Sequence, residues 1–476
     1  MPNDKETVQR ESLTAIHLSP SLRKFGLIGI AFALFFFVRH CLPLDQSIVD
    51  QNPETVRTGL AILTLAAVLW LTEALPLALT AILIPLLSAL TGVMDVGGSF
   101  SGFAHPLIFL FLGGFGLAAS LSRQGLDRWL ATKILALGRG KFHTTAIALF
   151  LVSALLSMWI SNTATVALLL PVVLGILSSI AGQCGQTVAD KAAPYLLLGI
   201  AYSASIGGIG TIIGTPPNAI AAAQLKISFD EWLAIGIPCV IILLPVLFVL
   251  LRILARPGNV CKFEVSPEPF SFTRKRILTL AIFLCAIAGW LFSSHLAHYL
   301  GIVKSFDTIV AITAVLVLAA CRLVDWRDID RATDWGVLLL FGGGITLSKI
   351  LSNTGASYFL ANQIQHLTQG WPLILFIGVV VIFVIFLTEL SSNTASTALL
   401  VPIFAAVAID MGVTTEQIVL PLTLAASCAF MLPVATPPNA IVFGSGKIRQ
   451  REMLRIGLVL NLVFAVILTL IGSVYF

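Results

Sequence analysis

The chain has 476 residues, of which 58% are hydrophobic and 11% are charged, and its mean hydropathy is +0.99. Soluble domains carry about 45 to 50% apolar and about 25% charged residues, so this composition excludes a soluble protein and indicates an integral membrane protein. The net charge of +5 is small and scattered, which excludes a nucleic-acid-binding surface. The seven cysteines form no C-x-x-C pair, so we expect isolated packing thiols, without a disulfide framework or a metal site.

Residues 1–24 are polar and lack the pattern of a signal peptide, so they are predicted to form a cytoplasmic tail. The remainder contains eleven apolar runs near the length of about 20 residues that a bilayer crossing needs. They lie near 25–43, 58–75, 76–94, 105–122, 193–225, 232–251, 277–293, 306–321, 335–352, 417–446 and 456–475. Two further stretches, 144–182 and 372–409, have a polar break in the middle and are predicted to be re-entrant hairpins.

The basic residues give the orientation. With the N-terminus in the cytoplasm and both hairpins re-entrant, only five of the 28 Lys and Arg lie outside, as the positive-inside rule requires. Those five are Arg39, Arg57, Lys226, Lys304 and Lys349. The C-terminus is then outside, in the plasma (inner) membrane. The cytoplasmic linker 252–276 divides the chain into 25–251, which contains N-terminal scaffold helices and a first repeat, and 277–476, which contains a second repeat.

The two halves share matched motifs in the same order. Residues 161–171 (SNTATVALLLP) match residues 392–402 (SNTASTALLVP) at eight of eleven positions, and Thr-Pro-Pro-Asn-Ala-Ile occurs at both 215–220 and 436–441. The charge count puts one hairpin on the cytoplasmic side and the other on the outer side, so the repeats are inverted. The predicted fold is an all-α integral membrane protein with about 11 transmembrane helices and two re-entrant hairpins in two inverted-topology repeats, which is typical of secondary transporters.

Each Ser-Asn-Thr motif opens a helix in the middle of a hairpin. One interpretation is a plain N-cap. The other is an anion site, because a helix N-terminus presents free N–H groups and the positive end of the helix dipole. Unwound backbone in hydrocarbon survives only where protein buries it or where it lines a cavity, which favours the second interpretation.

The Thr-Pro-Pro-Asn motifs predict a helix break at Thr215 and at Thr436, because proline removes a donor and disfavours helix in the residue before it. Each break frees carbonyl oxygens that can bind a cation, around 210–214 and 433–435. Ser157 and Thr388 lie one turn before the Ser-Asn-Thr motifs and add hydroxyl groups. Such neutral oxygens suit Na⁺, whereas a transition metal prefers imidazole or thiolate ligands.

These motifs contain no Arg or Lys, so a bound anion is expected to depend on cations bound with it. Glu389 is the only carboxylate within either hairpin. An acidic residue inside the membrane often has a functional role, which here would be proton coupling. The other interpretation is that Glu389 forms a structural hydrogen bond that braces the hairpin. The eight tryptophans are expected at the membrane interfaces rather than at a stacking site.

Together, the paired Ser-Asn-Thr and Thr-Pro-Pro-Asn motifs resemble those of the divalent anion/sodium symporter family (DASS), the sodium-coupled dicarboxylate and sulfate carriers. The resemblance covers the chain from about residue 25 to the end. It implies a homodimer in the lipid bilayer in which a transport domain moves past a fixed scaffold, as an elevator.

The resemblance also implies the site residues. The first Na⁺ site is expected at Ser157, Ser161, Asn162 and Gly214. The second is expected at Thr388, Asn393 and Ala435. The residues expected to contact the substrate carboxylates are Asn162, Thr163, Thr215, Ser392, Asn393, Thr394, Thr436 and Pro437.

Sodium symport of a C4-dicarboxylate (succinate, malate or fumarate) is the expected function, since two equivalent tips suit an anion with a charged group at each end. A Na⁺-independent dicarboxylate exchanger of the same fold, and a tricarboxylate or sulfate carrier, remain alternatives. An intramembrane enzyme is not expected, because the chain lacks H-E-x-x-H and G-x-S-x-G motifs and paired intramembrane aspartates. No catalytic residue and no cofactor other than the coupling ion Na⁺ are expected.

The predicted topology can be tested by labelling single cysteines in intact cells with an impermeant thiol reagent. Cysteines placed at Lys262 and Lys447 should be protected, and cysteines placed at Lys304 and Glu416 should react. Labelling of the 262 and 416 positions from the same side would contradict the inverted repeats.

Overall fold

A computed structural model of the chain describes residues 20–44, 52–136, 141–261, 271, 273–302 and 305–474. All regular secondary structure in these ranges is helical. Most of the predicted cytoplasmic tail and the middle of the predicted linker, with Lys262, lie outside the described residues, and so does Lys304.

The helices of the first half include one helix pair and one interrupted helix that matter for the site. Their bounds are α1 Pro20–Cys41, α2 Pro53–Thr72, α3 Leu77–Leu90, α4 Val96–Phe100, α5 Pro106–Arg123, α6 Leu126–Ala136, α7 Phe142–Ser157, α8 Asn162–Cys184, α9 Gln186–Gly208, α10 Pro216–Leu225 and α11 Phe229–Ala255. A 3₁₀ turn at Ser101–Ala104 connects α4 to α5. The pair α7/α8 is the first predicted hairpin, and α9 and α10 are the two parts of a broken span.

The second half repeats this order from α14 onward. Its helices are α12 Arg274–Leu291, α13 Ser293–Leu300, α14 Phe306–Ala320, α15 Trp326–Ala332, α16 Trp335–Thr354, α17 Ala356–Leu367, α18 Leu373–Leu390, α19 Asn393–Asp410, α20 Thr415–Ala426, α21 Pro437–Gly444 and α22 Gln450–Val474. The pair α18/α19 is the second hairpin, and α20 and α21 form the second broken span.

This architecture confirms the predicted all-helical membrane fold. Among the described residues, nine helices are long and apolar enough to cross a membrane, or ten if the bent pair α12/α13 is counted as one span. That count differs from the eleven predicted spans, because hairpin arms such as α8 meet the length criterion while α3 and α14, with 14 and 15 residues, do not. Length alone cannot separate an arm from a crossing, so the membrane side of each loop stays a prediction.

Helix packing follows the repeat. Helix α3 packs on α16 and α14 packs on α5, while α21 packs on α8 and α10 packs on α19. Glycines permit the first two contacts: a Cβ on Gly113 would lie 2.5 Å from the Ala311 Cβ, and a Cβ on Gly343 would lie 2.6 Å from the Ala81 Cβ. Gly113 and Gly343 occupy matching positions in the two halves of the sequence, and so do Ala81 and Ala311, so each half contacts the other through the same pair of positions.

The expectation of isolated thiols is wrong for one pair of cysteines. Cys184, at the end of α8, and Cys261, beyond α11, form a disulfide with a Cα–Cα distance of 6.0 Å. The pair is 77 residues apart in sequence and becomes adjacent because α9 packs against both α8 and α11. No local motif could reveal it. The other five cysteines are free thiols.

Candidate functional site

Both Ser-Asn-Thr motifs begin a helix, as the sequence predicts. Ser161 caps α8 by accepting a hydrogen bond from the Ala164 N–H at 3.2 Å. Ser392 caps α19 in the same way, accepting from the Ala395 N–H at 3.4 Å. The serines are therefore the N-caps of these helices. The asparagine and threonine that follow each serine do not serve as caps, so their side chains can contact a ligand.

Both Thr-Pro-Pro-Asn motifs begin a helix after an irregular segment. Residues 209–215 separate α9 from α10, and residues 427–436 separate α20 from α21. Thr215 and Thr436 are buried and extended, with φ/ψ of −149°/143° and −142°/149°, and a proline follows each as the first helical residue. The hairpins and the breaks together give four helix N-termini, and each break helix packs on a hairpin arm of the other repeat.

Asn218 holds the first break in shape. Its side-chain amide donates to the carbonyl oxygens of Gly208 at 2.9 Å, Ile209 at 3.3 Å and Thr211 at 2.7 Å. Asn218 is fully buried, so these bonds replace the helical donors that the break removes.

Asn439 does the same at the second break. Its amide donates to the carbonyl oxygens of Ala429 and Leu432, both at 3.0 Å. These acceptors are the repeat equivalents of Gly208 and Thr211. The two asparagines of the Thr-Pro-Pro-Asn motifs are thus structural braces.

The structure brings three of the residues of the first predicted Na⁺ site together around Gly208. The Ser157 hydroxyl donates to Asn162 Oδ1. A Cβ on Gly208 would lie 2.7 Å from Asn162 Oδ1 and 3.2 Å from the Gly214 carbonyl oxygen. The amide oxygen of Asn162 and the carbonyl oxygen of Gly214 therefore lie so close to position 208 that a side chain there would clash, and the Ser157 hydroxyl contacts the same Asn162 oxygen. Ser161, the fourth expected ligand, uses its hydroxyl oxygen as a cap.

The residues of the second predicted Na⁺ site make fewer contacts with one another than those of the first site. The Thr388 hydroxyl donates to the Ile385 carbonyl oxygen at 3.0 Å in its own helix. Asn393 Oδ1 is buried and has no hydrogen-bond donor among the described residues. Ala435 lies at the second break and is buried. In the described part of the chain, no hydrogen bond connects these three residues, and the free oxygen of Asn393 is the feature that fits a cation.

The predicted substrate residues differ in exposure. Asn162, Ser392, Asn393 and Thr394 are half-buried at the hairpin tips. Thr215 and Thr436 are buried, whereas Thr163 and Pro437 are exposed. Within the described ranges, no hydrogen bond joins one hairpin tip to the other.

Glu389 braces the second break. Its carboxylate accepts hydrogen bonds from the N–H groups of Met431 at 2.8 Å and Leu432 at 3.0 Å, and from the Asn461 amide at 2.7 Å. The side chain is almost fully buried. This geometry supports the structural interpretation of Glu389, because every donor is a backbone or amide group that the carboxylate satisfies.

The sequence did not reveal two further contacts of the first hairpin. Thr211 donates to the Met158 carbonyl oxygen at 2.5 Å and accepts from the Gly214 N–H at 3.0 Å, so it ties the hairpin turn to the first break. No signal in the sequence distinguishes Thr211, since its repeat equivalent is Leu432.

The expectation that the tryptophans do not stack is wrong for two of them, whereas their placement at the membrane interfaces stays a prediction. Trp159, beside the first hairpin tip, stacks on Trp290 of α12 with ring centroids 6.1 Å apart, and Phe229 stacks on Trp290 at 4.7 Å. Trp70, Trp232 and Trp290 are fully buried. Aromatic rings therefore pack the tip of the first hairpin against α12.

The chain has extensive similarity to known transporters. A family model described as the sodium:sulfate symporter transmembrane region matches residues 30–476. An uncharacterized transporter from Haemophilus influenzae is 46% identical over 460 residues, which cover 95% of this chain and 97% of that protein. The sodium-dependent dicarboxylate transporter SdcS from Staphylococcus saprophyticus is 34% identical over 482 residues, which cover 94% of this chain and 91% of that protein.

Solved structures share the fold at low sequence identity. The Alcanivorax borkumensis YdaH transporter aligns with a TM-score of 0.55 and 14% identity, over 95% of this chain and 98% of that chain. Neisseria gonorrhoeae MtrF aligns with the same TM-score and identity, over 97% of this chain and 96% of that chain. At this identity the likeness shows the fold alone.

The role of the two bracing asparagines can be tested with Asn218→Leu and Asn439→Leu. Each change removes donors from buried carbonyls at a cost of about 1 to 3 kcal/mol per unsatisfied group, so both variants should melt at a lower temperature and transport less. Asn362→Leu is the control, since the Asn362 side chain, unlike those of Asn218 and Asn439, forms no hydrogen bond to a carbonyl among the described residues. Equal melting temperatures for all three variants, measured in detergent, would rule out the bracing role.

Proposed function

Because the chain belongs to the sodium:sulfate symporter family, we propose that it is a secondary active transporter that couples Na⁺ to the uptake of a divalent anion. The proposed substrate is a C4-dicarboxylate such as succinate, malate or fumarate. The similarity to the staphylococcal relative, a sodium-dependent dicarboxylate transporter, supports this choice of ion and substrate.

One observation carries the proposal: the hairpin arm that begins at a Ser-Asn-Thr motif in each repeat packs on the short helix that follows the break of the other repeat. Helix α21 packs on α8, and α10 packs on α19. Helix N-termini attract anions, and the neutral oxygens beside them suit Na⁺. A single site could thus hold an anion and its coupling ions together.

The proposed Na⁺ ligands are those of the two oxygen clusters. Ser157, Ser161, Asn162 and Gly214 form the first set, and Thr388, Asn393 and Ala435 form the second. The contact between Ser157 and Asn162 supports the first set, and the free Asn393 Oδ1 supports the second.

The cations are needed on energetic grounds. A helix end stabilises an anion by about 0.3 to 2 kcal/mol, whereas burying each ion costs several kcal/mol. The motifs at the tips and breaks contain no Arg, Lys or His that could offset this cost. Bound Na⁺ would supply the missing positive charge, and the dependence of the anion on Na⁺ would couple their movements.

The proposed substrate contacts come in two equivalent groups, which favour an anion with a carboxylate at each end. Asn162, Thr163 and Thr215 form one group. Ser392, Asn393, Thr394, Thr436 and Pro437 form the other. A sulfate ion carries its charge in one compact group and therefore suits two separate groups of contacts less well, and a tricarboxylate or sulfate carrier stays the alternative.

We further propose that transport uses an elevator movement, which the unequal environments of the two repeats support. Ala398 of α19 is buried, and a Cβ on Gly344 of α16 would lie 3.2 Å from its Cβ. The equivalent Ala167 of α8 is exposed, and the equivalent Gly114 of α5 faces Ile213 instead. If α8 took the buried surroundings that α19 has here, and α19 became exposed as α8 is, the site would open to the other side of the membrane.

We propose that two copies of the chain form a homodimer in the plasma membrane. The N-terminus lies in the cytoplasm and the C-terminus outside. Hairpin 1, formed by α7 and α8, then faces the cytoplasm, so the exposed α8 surface gives an inward-open conformation.

Uptake by purified protein in liposomes tests the proposed function. A Na⁺ gradient should drive concentrative uptake of radiolabelled succinate, and Asn162→Ala and Asn393→Ala should each abolish it while expression stays near normal. Gln186→Ala, on the surface at the start of α9, is the control and should transport normally. Normal uptake by Asn162→Ala would contradict the site, and wild-type succinate counterflow without Na⁺ would favour the exchanger.

The elevator movement can be tested by cross-linking in a variant that lacks the seven native cysteines. A cysteine pair at 344 and 398 should cross-link in the conformation described here, because the Cβ separation is close to that of a disulfide. A pair at 114 and 167 should cross-link only when Na⁺ and substrate allow cycling. If the reduced 114/167 variant transports but never cross-links, the movement is not an exchange of repeat environments.

A further inference from the structure

A cavity that shares no residue with the proposed transport site lies at the end of the molecule that is predicted to be cytoplasmic. It has a volume of about 800 Å³ and forms where α9 begins, α11 ends and the link from α21 to α22 crosses them. The volume is large enough for a phosphate group with an attached organic moiety. Nothing in the proposed transport function uses this cavity.

Basic side chains dominate its lining. They are Lys191, Lys447, Arg449, Arg451 and Arg455, and all five are solvent-accessible. The acidic lining residues are Asp190 and Glu452, and Asp190 accepts a hydrogen bond from the Gln186 amide at 2.7 Å. Across the described residues, the ion pairs with contacts within 4.0 Å are those of Arg123 with Asp325 and Asp328, so none of the five basic groups at the cavity forms a close salt bridge. Glu452 lies near enough to interact electrostatically with Arg449 and Arg455, and the five basic groups still outnumber the two acidic ones.

The rest of the lining suits a ligand that is part anion and part apolar. Pro194, Leu254 and Ile448 contribute apolar wall next to the basic groups. Helix α22, which is 25 residues long, begins at Gln450 between two of the lining arginines, so the positive end of its dipole lies at the cavity. The helix dipole adds to the positive potential of the basic side chains, and the apolar wall can contact the uncharged part of a ligand.

The fold itself does not require these arginines. At the equivalent link between α10 and α11 in the first repeat, the residues matching Arg449, Arg451 and Arg455 are Ser228, Asp230 and Ala234. There Asp230 accepts hydrogen bonds from the hydroxyls of two serines of α13. The positive-inside rule explains the sign of the charge at the second link, but it does not explain why the charges surround a cavity.

We propose that this cavity binds a phosphate-bearing anion, supplied either as the headgroup of an anionic phospholipid or as a soluble phosphate compound. Arginine guanidinium groups recognise phosphate oxygens in pairs, and basic pockets between membrane helices on the cytoplasmic side suit lipid headgroups. A ligand held there touches α9, the end of α11 and the α21–α22 link at once, and therefore ties the second broken helix to the first repeat.

Thermal shift of the purified full-length protein in detergent tests the proposal. The probes are dioctanoyl phosphatidylglycerol, inorganic pyrophosphate and, as the neutral control, dioctanoyl phosphatidylcholine. At least one of the first two should raise the melting temperature of the wild type by several degrees, since a ligand that binds only the folded state stabilises it. A shift with the lipid alone indicates a headgroup site, and a shift with pyrophosphate indicates a site for soluble phosphates.

Matched variants locate the effect. Arg449→Gln/Arg455→Gln should lose the shift, whereas Arg327→Gln/Arg331→Gln, which removes two exposed arginines of α15 outside the cavity, should keep it. If neither phosphate probe stabilises the wild type, or if the cavity variant keeps the full shift, the proposal is wrong.

Lysine footprinting on the wild type gives an independent result if the cavity variant does not fold. The ligand should protect Lys191 and Lys447 from an amine-reactive reagent several-fold, and should leave the exposed Lys275 at the start of α12 unchanged. Equal labelling of all three lysines with and without either phosphate probe would overturn the proposal.

Discussion

The structure depends on one constraint: a helix that is broken in apolar surroundings must satisfy its own backbone groups inside the protein. Two spans are broken, at 209–215 and 427–436. Asn218 donates to three carbonyls of the first break, and Asn439 donates to two carbonyls of the second. Glu389 accepts from two N–H groups of the second break. These braces make it possible to keep four helix N-termini and their oxygens at fixed positions.

The same constraint explains why the site is neutral. The groups that line the tips and breaks are hydroxyls, amides and backbone atoms, and the motifs carry no fixed positive charge. A site of this kind has weak affinity for an anion until cations enter, so the proposed coupling follows from the absence of Arg and Lys. The negative charge of Glu389 is not directed at the bound anion, because its carboxylate accepts hydrogen bonds from the Met431 N–H at the break and from the Asn461 amide.

The sequence predicted the features that depend on local chemistry. Prolines after Thr215 and Thr436 predicted both breaks, and the serines predicted the starts of α8 and α19. The sequence could not predict contacts made by packing of distant segments. The disulfide between Cys184 and Cys261 joins residues that no motif connects, and the stacking of Trp159 on Trp290 requires α12 to lie beside the first hairpin.

Calorimetric titration of the purified protein with succinate tests most directly the claim that bound cations make the anion site. The titration is run in sodium chloride and in choline chloride at equal ionic strength, so that general screening is the same in both. If bound cations make the site, succinate gives a binding isotherm in sodium, with an affinity that rises with Na⁺ concentration, and no measurable heat of binding in choline. Equal affinity in the two salts would contradict it.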